Sequence, residues 1–155
     1  MKTLETGSQI PAFIAEDQNG NKIDSSQLIG KKTVVYFYPK DNTPGCTVQA
    51  CSIRDGYEEL LQHNIQIIGI SADNLASHQK FASKFELPFP LIPDVDRTII
   101  EAFGVWGTKK FMGKVYDGIH RMTFLFDDKG ILLHVIQKPD TKNHAEEILK
   151  TFELK

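Results

Sequence analysis

Residues 33–46 read Thr-Val-Val-Tyr-Phe-Tyr-Pro-Lys-Asp-Asn-Thr-Pro-Gly-Cys, and the architecture can be inferred from this segment. The first six side chains are β-branched or aromatic without interruption, which is typical of a strand buried on both faces of a sheet. Pro39 ends this run. Thr43 then occupies a helix N-cap position, and Pro44 is the residue type favoured at the first helical position. The segment therefore predicts a buried strand that leads into a helix over residues 43–62.

Strands and helices alternate on both sides of this segment. The other predicted elements are a hairpin at 12–24 turning at Asn19-Gly20, a helical turn at 25–28, a strand at 65–71, a helix from 73 or 74 to 85, an extended segment at 88–93, a helix at 96–103, strands at 119–126 and 131–136, and a helix at 143–152 that Asn143 and Glu146 begin as a capping box. This order indicates an α/β fold with a central mixed sheet covered by helices on both faces. Right-handed crossovers place the strand 33–38 centrally, so the following helix begins at the edge where such folds bind ligands.

Composition excludes several classes of function. A length of 155 residues predicts one domain over residues 1–155. A net charge of −2 without a basic stripe argues against a nucleic-acid partner. No apolar run approaches the roughly 20 residues that span a bilayer, and residues 1–13 lack the apolar core of a signal peptide. We therefore expect a cytoplasmic protein without membrane contact, and a monomer because no exposed apolar stripe is evident.

The chain contains two cysteines, Cys46 and Cys51, and both fall in the predicted helix 43–62. Cys46 lies in the first turn, where free backbone N–H groups and the helix dipole stabilise a thiolate, which is the nucleophilic form. Cys51 lies about 140° further round the helix, on the polar side. The apolar face is formed by Cys46, Ala50, Ile53, Tyr57, Leu60 and Leu61. The pattern favours a nucleophilic Cys46 over the competing interpretation of a cysteine that is simply buried.

The spacing of the two cysteines favours a reversible switch over a structural disulfide. In an intact helix, Cα atoms five residues apart are about 8.6 Å apart, beyond the roughly 7 Å that a disulfide tolerates. A bond between Cys46 and Cys51 would therefore require the first turns of the helix to unwind. Two cysteines, with no histidine at a ligand spacing, do not predict a zinc site, and neither a metal nor a cofactor is expected.

Residues 36–55 resemble the active-site segment of peroxiredoxins. Pro39, Thr43 and Cys46 match the family motif Pro-x-x-x-Thr-x-x-Cys. Cys51, five residues later, matches the class named after bacterioferritin comigratory protein, also called the Q type. Three later segments, 103–107, 111–114 and 118–125, also look like that class, so the resemblance covers essentially the whole chain.

The resemblance implies a thioredoxin fold with an N-terminal β-hairpin extension. It implies a peroxidase that reduces hydrogen peroxide and alkyl hydroperoxides, with thioredoxin as the reductant. Cys46 would be the peroxidatic cysteine and Cys51 the resolving one. Thr43 and Arg121 match the other site residues, and Pro39 the shielding proline. From sequence alone, Thr43 could be a plain helix cap and Arg121 an ordinary strand-end charge. Many family members carry Glu where this chain has Gln49.

Two other functions remain open from the sequence. A disulfide reductase of the thioredoxin kind would carry Cys-x-x-Cys at the helix start and Ile-Pro-Thr before the hairpin strand, whereas this chain has Arg121-Met122-Thr123 there. A redox-sensing or chaperone-like binding module could use the same disulfide switch. The aromatic residues Phe103, Trp106 and Phe111 could line the mouth of a pocket or a contact surface, but positions in the core are preferred.

Overall fold

The computed structural model describes residues 1–154, which form an α/β structure. In chain order its elements are β1 (Ile14–Glu16), β2 (Lys22–Asp24), a 3₁₀ turn (Ser25–Leu28), β3 (Lys32–Phe37), α1 (Pro44–Asp55), α2 (Tyr57–Gln62), β4 (Ile65–Ser71), α3 (Leu75–Lys84), β5 (Leu91–Pro93), α4 (Thr98–Phe103), β6 (Trp106–Phe111), β7 (Lys114–Ile119), β8 (Met122–Phe126), β9 (Leu132–Ile136) and α5 (His144–Thr151). Within residues 1–154, no helix combines the length and the apolar character needed to cross a bilayer.

The central sheet has five strands in the order β5-β4-β3-β8-β9. β3 runs parallel to β4 and antiparallel to β8, so the predicted mixed sheet and the central position of this strand are confirmed. β1 and β2 form a separate antiparallel hairpin, which confirms the predicted N-terminal extension. The pairing of Phe37 with Met122 places the end of β3 beside the start of β8.

Both faces of β3 are buried, and this explains its unbroken apolar sequence. Val34 and Tyr36 belong to a core that is covered by α1, α2, α3 and α5. Val35 and Phe37 point to the opposite side, into a core that is covered by α4. Helices on both faces leave no solvated side on which polar residues would alternate. The strand therefore holds the end of the sheet, and the loop that follows it, in a fixed position.

The predicted helix 43–62 is interrupted at Gly56, which separates α1 from α2. A Cβ atom at Gly56 would lie 2.4 Å from Cβ of Ala145 in α5, so only glycine permits this close approach. Leu61, which the helical wheel assigned to the core face, is instead 50% exposed. The core position predicted for Leu61 is therefore wrong, and in α2 the neighbouring Leu60 is the residue that is fully buried.

A second hairpin, β6–β7, was not predicted from the sequence. Its strands pair only with each other among the described elements, and most of its side chains are exposed, so the apolar pattern that reveals buried strands is weak. The predicted strand 119–126 begins instead at Met122. Phe111 is 65% exposed near the hairpin turn, which contradicts its predicted core position. Phe103 is fully buried, as predicted, and Trp106 is partly buried against the same core.

The helix caps agree with the sequence only in part. Asn74 caps α3, since its side chain accepts a hydrogen bond from the Ser77 amide. Asn143 precedes α5 but its side chain makes no cap bond, so the predicted capping box is wrong. Glu147 instead accepts a hydrogen bond from the Asp140 amide at 2.8 Å and stabilises the chain entering α5.

Candidate active site

Cys46 lies in the first turn of α1, at the carboxyl end of the central strand β3. Its side chain is only 2% exposed and packs with Ala50 and Ile53 on the buried face of the helix. Cys51 lies on another side of α1 and is half-buried. Both sulfurs are free thiols, and α1 is continuous from Pro44 to Asp55. The intact helix therefore holds the two cysteines apart, as the helical spacing predicts.

Arg121 brings positive charge to the Cys46 sulfur. Its Nη2 donates a hydrogen bond to Cys46 Sγ at 3.2 Å, and its Nη1 donates to Gln49 Oε1 at 2.6 Å. Arg121 immediately precedes β8, and the pairing of β8 with β3 carries it to the start of α1. Gly45 gives the guanidinium room, because a Cβ at this position would lie 3.2 Å from Arg121 Nη2. A cation and a helix N-terminus thus converge on one sulfur, an arrangement that stabilises a thiolate.

Thr43 is the N-cap residue of α1 but does not cap with its side chain. Its hydroxyl donates to the Lys40 carbonyl at 2.9 Å, whereas its own carbonyl accepts a hydrogen bond from the Thr47 amide. Thr43 therefore lies at the predicted N-cap position, but its side chain does not cap the helix. The bond to Lys40 closes the loop that joins β3 to α1. Pro39, at the other end of this loop, is partly exposed next to the buried end of the strand.

Gln49 is a site residue for which the sequence pattern predicted no role beyond its departure from the common Glu. It is fully buried, and its Oε1 fixes one arm of the Arg121 guanidinium. Its Nε2 and the hydroxyl of Tyr36 are the two buried side-chain atoms without a hydrogen-bond partner in residues 1–154. Burial raises the pKa of Tyr36 well above its ordinary value, and the nearby charge of Cys46 raises it further. Tyr36 therefore stays protonated beneath the site.

A cavity of about 530 Å³ opens beside Arg121. Lys109 of β6 also lines this cavity, and its Nζ donates to the Ile119 carbonyl at 2.9 Å. Burial lowers the pKa of Lys109, and repulsion from Arg121 lowers it further. The wall of the cavity is formed by Met1, Thr3, Lys109, His120, Arg121, Met122, Gln137 and Lys138. The sequence did not predict a place for Lys109 at the site, because the hairpin that carries it was not predicted.

One cluster in the described part of the chain has donor atoms close enough together for a metal ion, namely Asp41, Asp73 and His78. These atoms already make short hydrogen bonds to one another and to their neighbours. His78 Nδ1 lies 2.6 Å from Asp41 Oδ2, and Asp73 Oδ2 accepts from the Ser71 hydroxyl at 2.7 Å. A metal ion would have to displace these bonds, so the residues fit a hydrogen-bonded network better than a metal site.

The sequence profile of the AhpC/TSA family matches residues 6–135. The chain belongs to the AhpC/TSA family. Peroxiredoxin Bcp of Escherichia coli K12 is 45% identical over 149 residues, which cover 96% of each chain. Peroxiredoxin Bcp of Bacillus subtilis is 43% identical over 149 residues, covering 96% of this chain and 95% of that one. These relatives confirm the class that the resemblance indicated.

Solved structures show the same relationship. A structure of bacterioferritin comigratory protein from Xanthomonas campestris superimposes with a TM-score of 0.87 at 30% identity, covering 96% of this chain and 98% of that one. A peroxiredoxin Q mutant of Xylella fastidiosa gives a TM-score of 0.90 at 27% identity, covering 99% and 98%. The predicted thioredoxin fold is thereby confirmed, and the protein is a thiol-dependent peroxidase of the peroxiredoxin type.

Proposed function

We propose that this peroxiredoxin reduces hydrogen peroxide and alkyl hydroperoxides with Cys46 as the attacking thiolate and Cys51 as the resolving thiol. The observation that supports this assignment is the hydrogen bond from Arg121 Nη2 to Cys46 Sγ, at a sulfur that also faces the N-terminus of α1. The related Xanthomonas campestris protein is described as having alkyl peroxide reduction activity, which supports the same substrate class here.

In the first step Cys46 Sγ attacks one peroxide oxygen along the O–O axis. A sulfur–oxygen bond forms, the O–O bond breaks, and the other oxygen leaves with the electron pair as hydroxide or alkoxide, which takes a proton from water. Cys46 becomes a sulfenic acid. Arg121 and the Cys46 amide stabilise the charge that moves toward the leaving oxygen, and the Thr43 hydroxyl is the third donor candidate. Pro39 would shield this reaction from water.

In the second step the Cys51 thiolate attacks the sulfenic sulfur. A sulfur–sulfur bond forms and the sulfenic oxygen leaves as water after protonation. Residues 46–51 must leave the helical conformation before the sulfurs can meet, because the intact helix keeps their Cα atoms about 8.6 Å apart. Unwinding of this segment also exposes the disulfide to an external dithiol.

A thiol reductant must then reduce the disulfide, and we propose thioredoxin for this role. The exchange proceeds by attack of the external thiolate on one sulfur of the disulfide, followed by release through the second thiol of the reductant. The predicted setting is the cytoplasm, where such disulfides are transient. A monomer satisfies this cycle, because both cysteines belong to one helix of one chain.

The experiment is a coupled assay that follows NADPH oxidation with thioredoxin and thioredoxin reductase. We expect wild type to turn over, Cys46→Ser to be inactive, and Cys51→Ser to consume about one equivalent of peroxide and then to turn over poorly. Mass spectrometry of the quenched protein should detect the Cys46–Cys51 bond in wild type alone.

Two outcomes would contradict the proposal. Oxidation of Cys46 no faster than that of a free thiol would favour the redox-sensing or chaperone-like alternative. Reduction of insulin disulfides at the rate of a thioredoxin would favour the reductase. Replacement of thioredoxin by glutaredoxin or glutathione in the same assay tests the reductant separately from the peroxidase chemistry.

A further inference from the structure

A buried hydrogen-bonded network lies behind the loop that joins β3 to α1. The side chains of His78 in α3 and Asp41 in the loop are 0% and 3% exposed. His78 Nε2 lies 3.0 Å from the carbonyl oxygen of Ile92, and His78 Nδ1 lies 2.6 Å from Asp41 Oδ2. Neither the attack on peroxide nor the disulfide exchange described above uses these groups.

The hydrogen bonds of this pair restrain both side chains. A carbonyl oxygen can only accept, so His78 Nε2 carries a proton. Asp41 also accepts from the Tyr38 hydroxyl at 2.6 Å and from the Ser77 hydroxyl at 2.8 Å, as a carboxylate does. The His78 ring is therefore held at both of its nitrogens, by Asp41 on one side and by the Ile92 carbonyl on the other. Burial raises the pKa of Asp41, but hydrogen bonds from His78, Tyr38 and Ser77 outweigh burial and leave that pKa below its ordinary value.

The pair holds the loop at the point where it enters the active site. The Asp41 amide donates to Asp73 Oδ2 at 2.8 Å, so both the backbone and the side chain of Asp41 are fixed. The next residue, Asn42, has a φ of 60°, in the left-handed region that asparagine adopts more readily than most residues and in which the chain turns sharply. Thr43 follows directly. Its hydrogen-bonded position therefore depends on the restraint at Asp41.

The other end of the reactive segment is held by α5. The Ser52 hydroxyl donates to the Gln49 carbonyl at 2.9 Å and accepts a hydrogen bond from the His144 amide at 3.3 Å. Gly56, which ends α1, packs against Ala145 of α5. Residues 42–51 thus lie between two anchored points, and they contain both cysteines.

We propose that Asp41 and His78 are positioning residues that fix Thr43 at the peroxide site and help to confine the unwinding of α1 to its residues 44–51. This inference rests on the proposed function of Cys46 and Cys51. The pair favours the folded conformation that reacts with peroxide. The same restraint opposes the unwound conformation that forms the disulfide, so the two steps respond to its loss in opposite directions.

The test measures both steps separately in Asp41→Asn and His78→Gln. Rapid quenching, trapping of sulfenic acid with dimedone and mass spectrometry give the rates of Cys46 oxidation and of disulfide formation. We expect Cys46 oxidation to slow about tenfold, since a displaced donor near the reacting atoms is costly. Formation of the disulfide from sulfenic acid should proceed at least as fast as in wild type. Tyr38→Phe, which removes one hydrogen bond to Asp41, should show the same pattern with a smaller amplitude.

The matched control is Asp94→Asn. Asp94 is another buried carboxyl, and its side chain accepts from backbone amides of α4, including that of Ile100 at 2.7 Å, instead of holding Asp41 or His78. We expect this variant to lose stability and to keep both rates. If Asp41→Asn and His78→Gln fold and match Asp94→Asn in both rates, the positioning role is wrong. The proposed function is tested separately, because it requires only that Cys46 of the wild-type protein reacts rapidly with peroxide.

Discussion

Arg121 Nη2 lies 3.2 Å from Cys46 Sγ, although the two residues are 75 positions apart in the chain. The contact depends on the pairing of β8 with β3, which carries Arg121 to the first turn of α1. The second arm of the guanidinium is held by Gln49 Oε1. The cation is therefore fixed before a peroxide arrives, so little reorganisation is needed when charge moves from sulfur to the leaving oxygen.

Replacement of Arg121 should slow oxidation of Cys46 by roughly 10²–10³-fold, the usual effect of removing one preorganised donor. Arg121→Lys should recover only part of this loss, because a single ammonium cannot reach Cys46 and Gln49 together as the planar guanidinium does. Stopped-flow mixing with hydrogen peroxide measures the rate. The matched control is Arg97→Lys, since Arg97 lies over the Trp106 ring at 4.2 Å. Equal rates in both lysine variants would contradict the role of Arg121.

Gln49 should matter as an acceptor for Arg121. We expect Gln49→Leu to slow oxidation of Cys46 about tenfold, because one arm of the guanidinium loses its partner. Gln49→Glu keeps an oxygen at the same position and should stay faster than Gln49→Leu. The rates are measured in a Cys51→Ser background, where only the first step occurs. An unchanged rate in Gln49→Leu would show that Arg121 does not need this restraint.

The free energy of unfolding should fall as pH is lowered through the ordinary range of histidine. Burial lowers the pKa of His144 in the folded protein, and Glu147 offsets this only in part. Below about pH 6.5 the unfolded chain therefore binds a proton that the folded protein resists, which favours unfolding. Above that pH the ring is neutral in both states and this penalty disappears.

Urea denaturation between about pH 7.5 and pH 5 measures this effect of histidine titration. The slope of stability against pH should be flatter in His144→Gln than in wild type. His134→Gln is the control, because His134 is exposed in β9 and should leave the slope unchanged. A wild-type slope in His144→Gln would mean that other groups cause the pH dependence.

Gly56→Ala should destabilise the protein by about 1–3 kcal/mol, since the new methyl group would overpack the contact between α1 and α5. Its Cβ would lie 2.4 Å from Cβ of Ala145. Ala145→Gly removes that atom, so the double variant should lose less stability than the two single variants combined. Urea denaturation of wild type, the two single variants and the double variant gives the coupling free energy of this double-mutant cycle. Strict additivity would mean that the two residues do not meet.

Local chain chemistry determines much of the fold of this protein. The unbroken run of β-branched and aromatic residues at 33–38 predicts the central strand, because a strand that is buried on both faces has no position for exposed polar side chains. Thr43 and Pro44 mark the start of α1, and helix geometry alone separates Cys46 from Cys51. The hairpin β6–β7 has no comparable apolar run, because most of its side chains are exposed.

Contacts between distant residues were decided only by the tertiary structure. The sequence by itself marked Cys46 and Cys51 as a switch, since their relation is set by one helix. The need for glycine at position 56 comes from the close approach of α5, and the Asp41–His78 pair depends on α3 packing behind the loop. The Arg121–Gln49 bond likewise forms only once β8 pairs with β3. Such pairings follow from packing, and no local pattern of side chains encodes them.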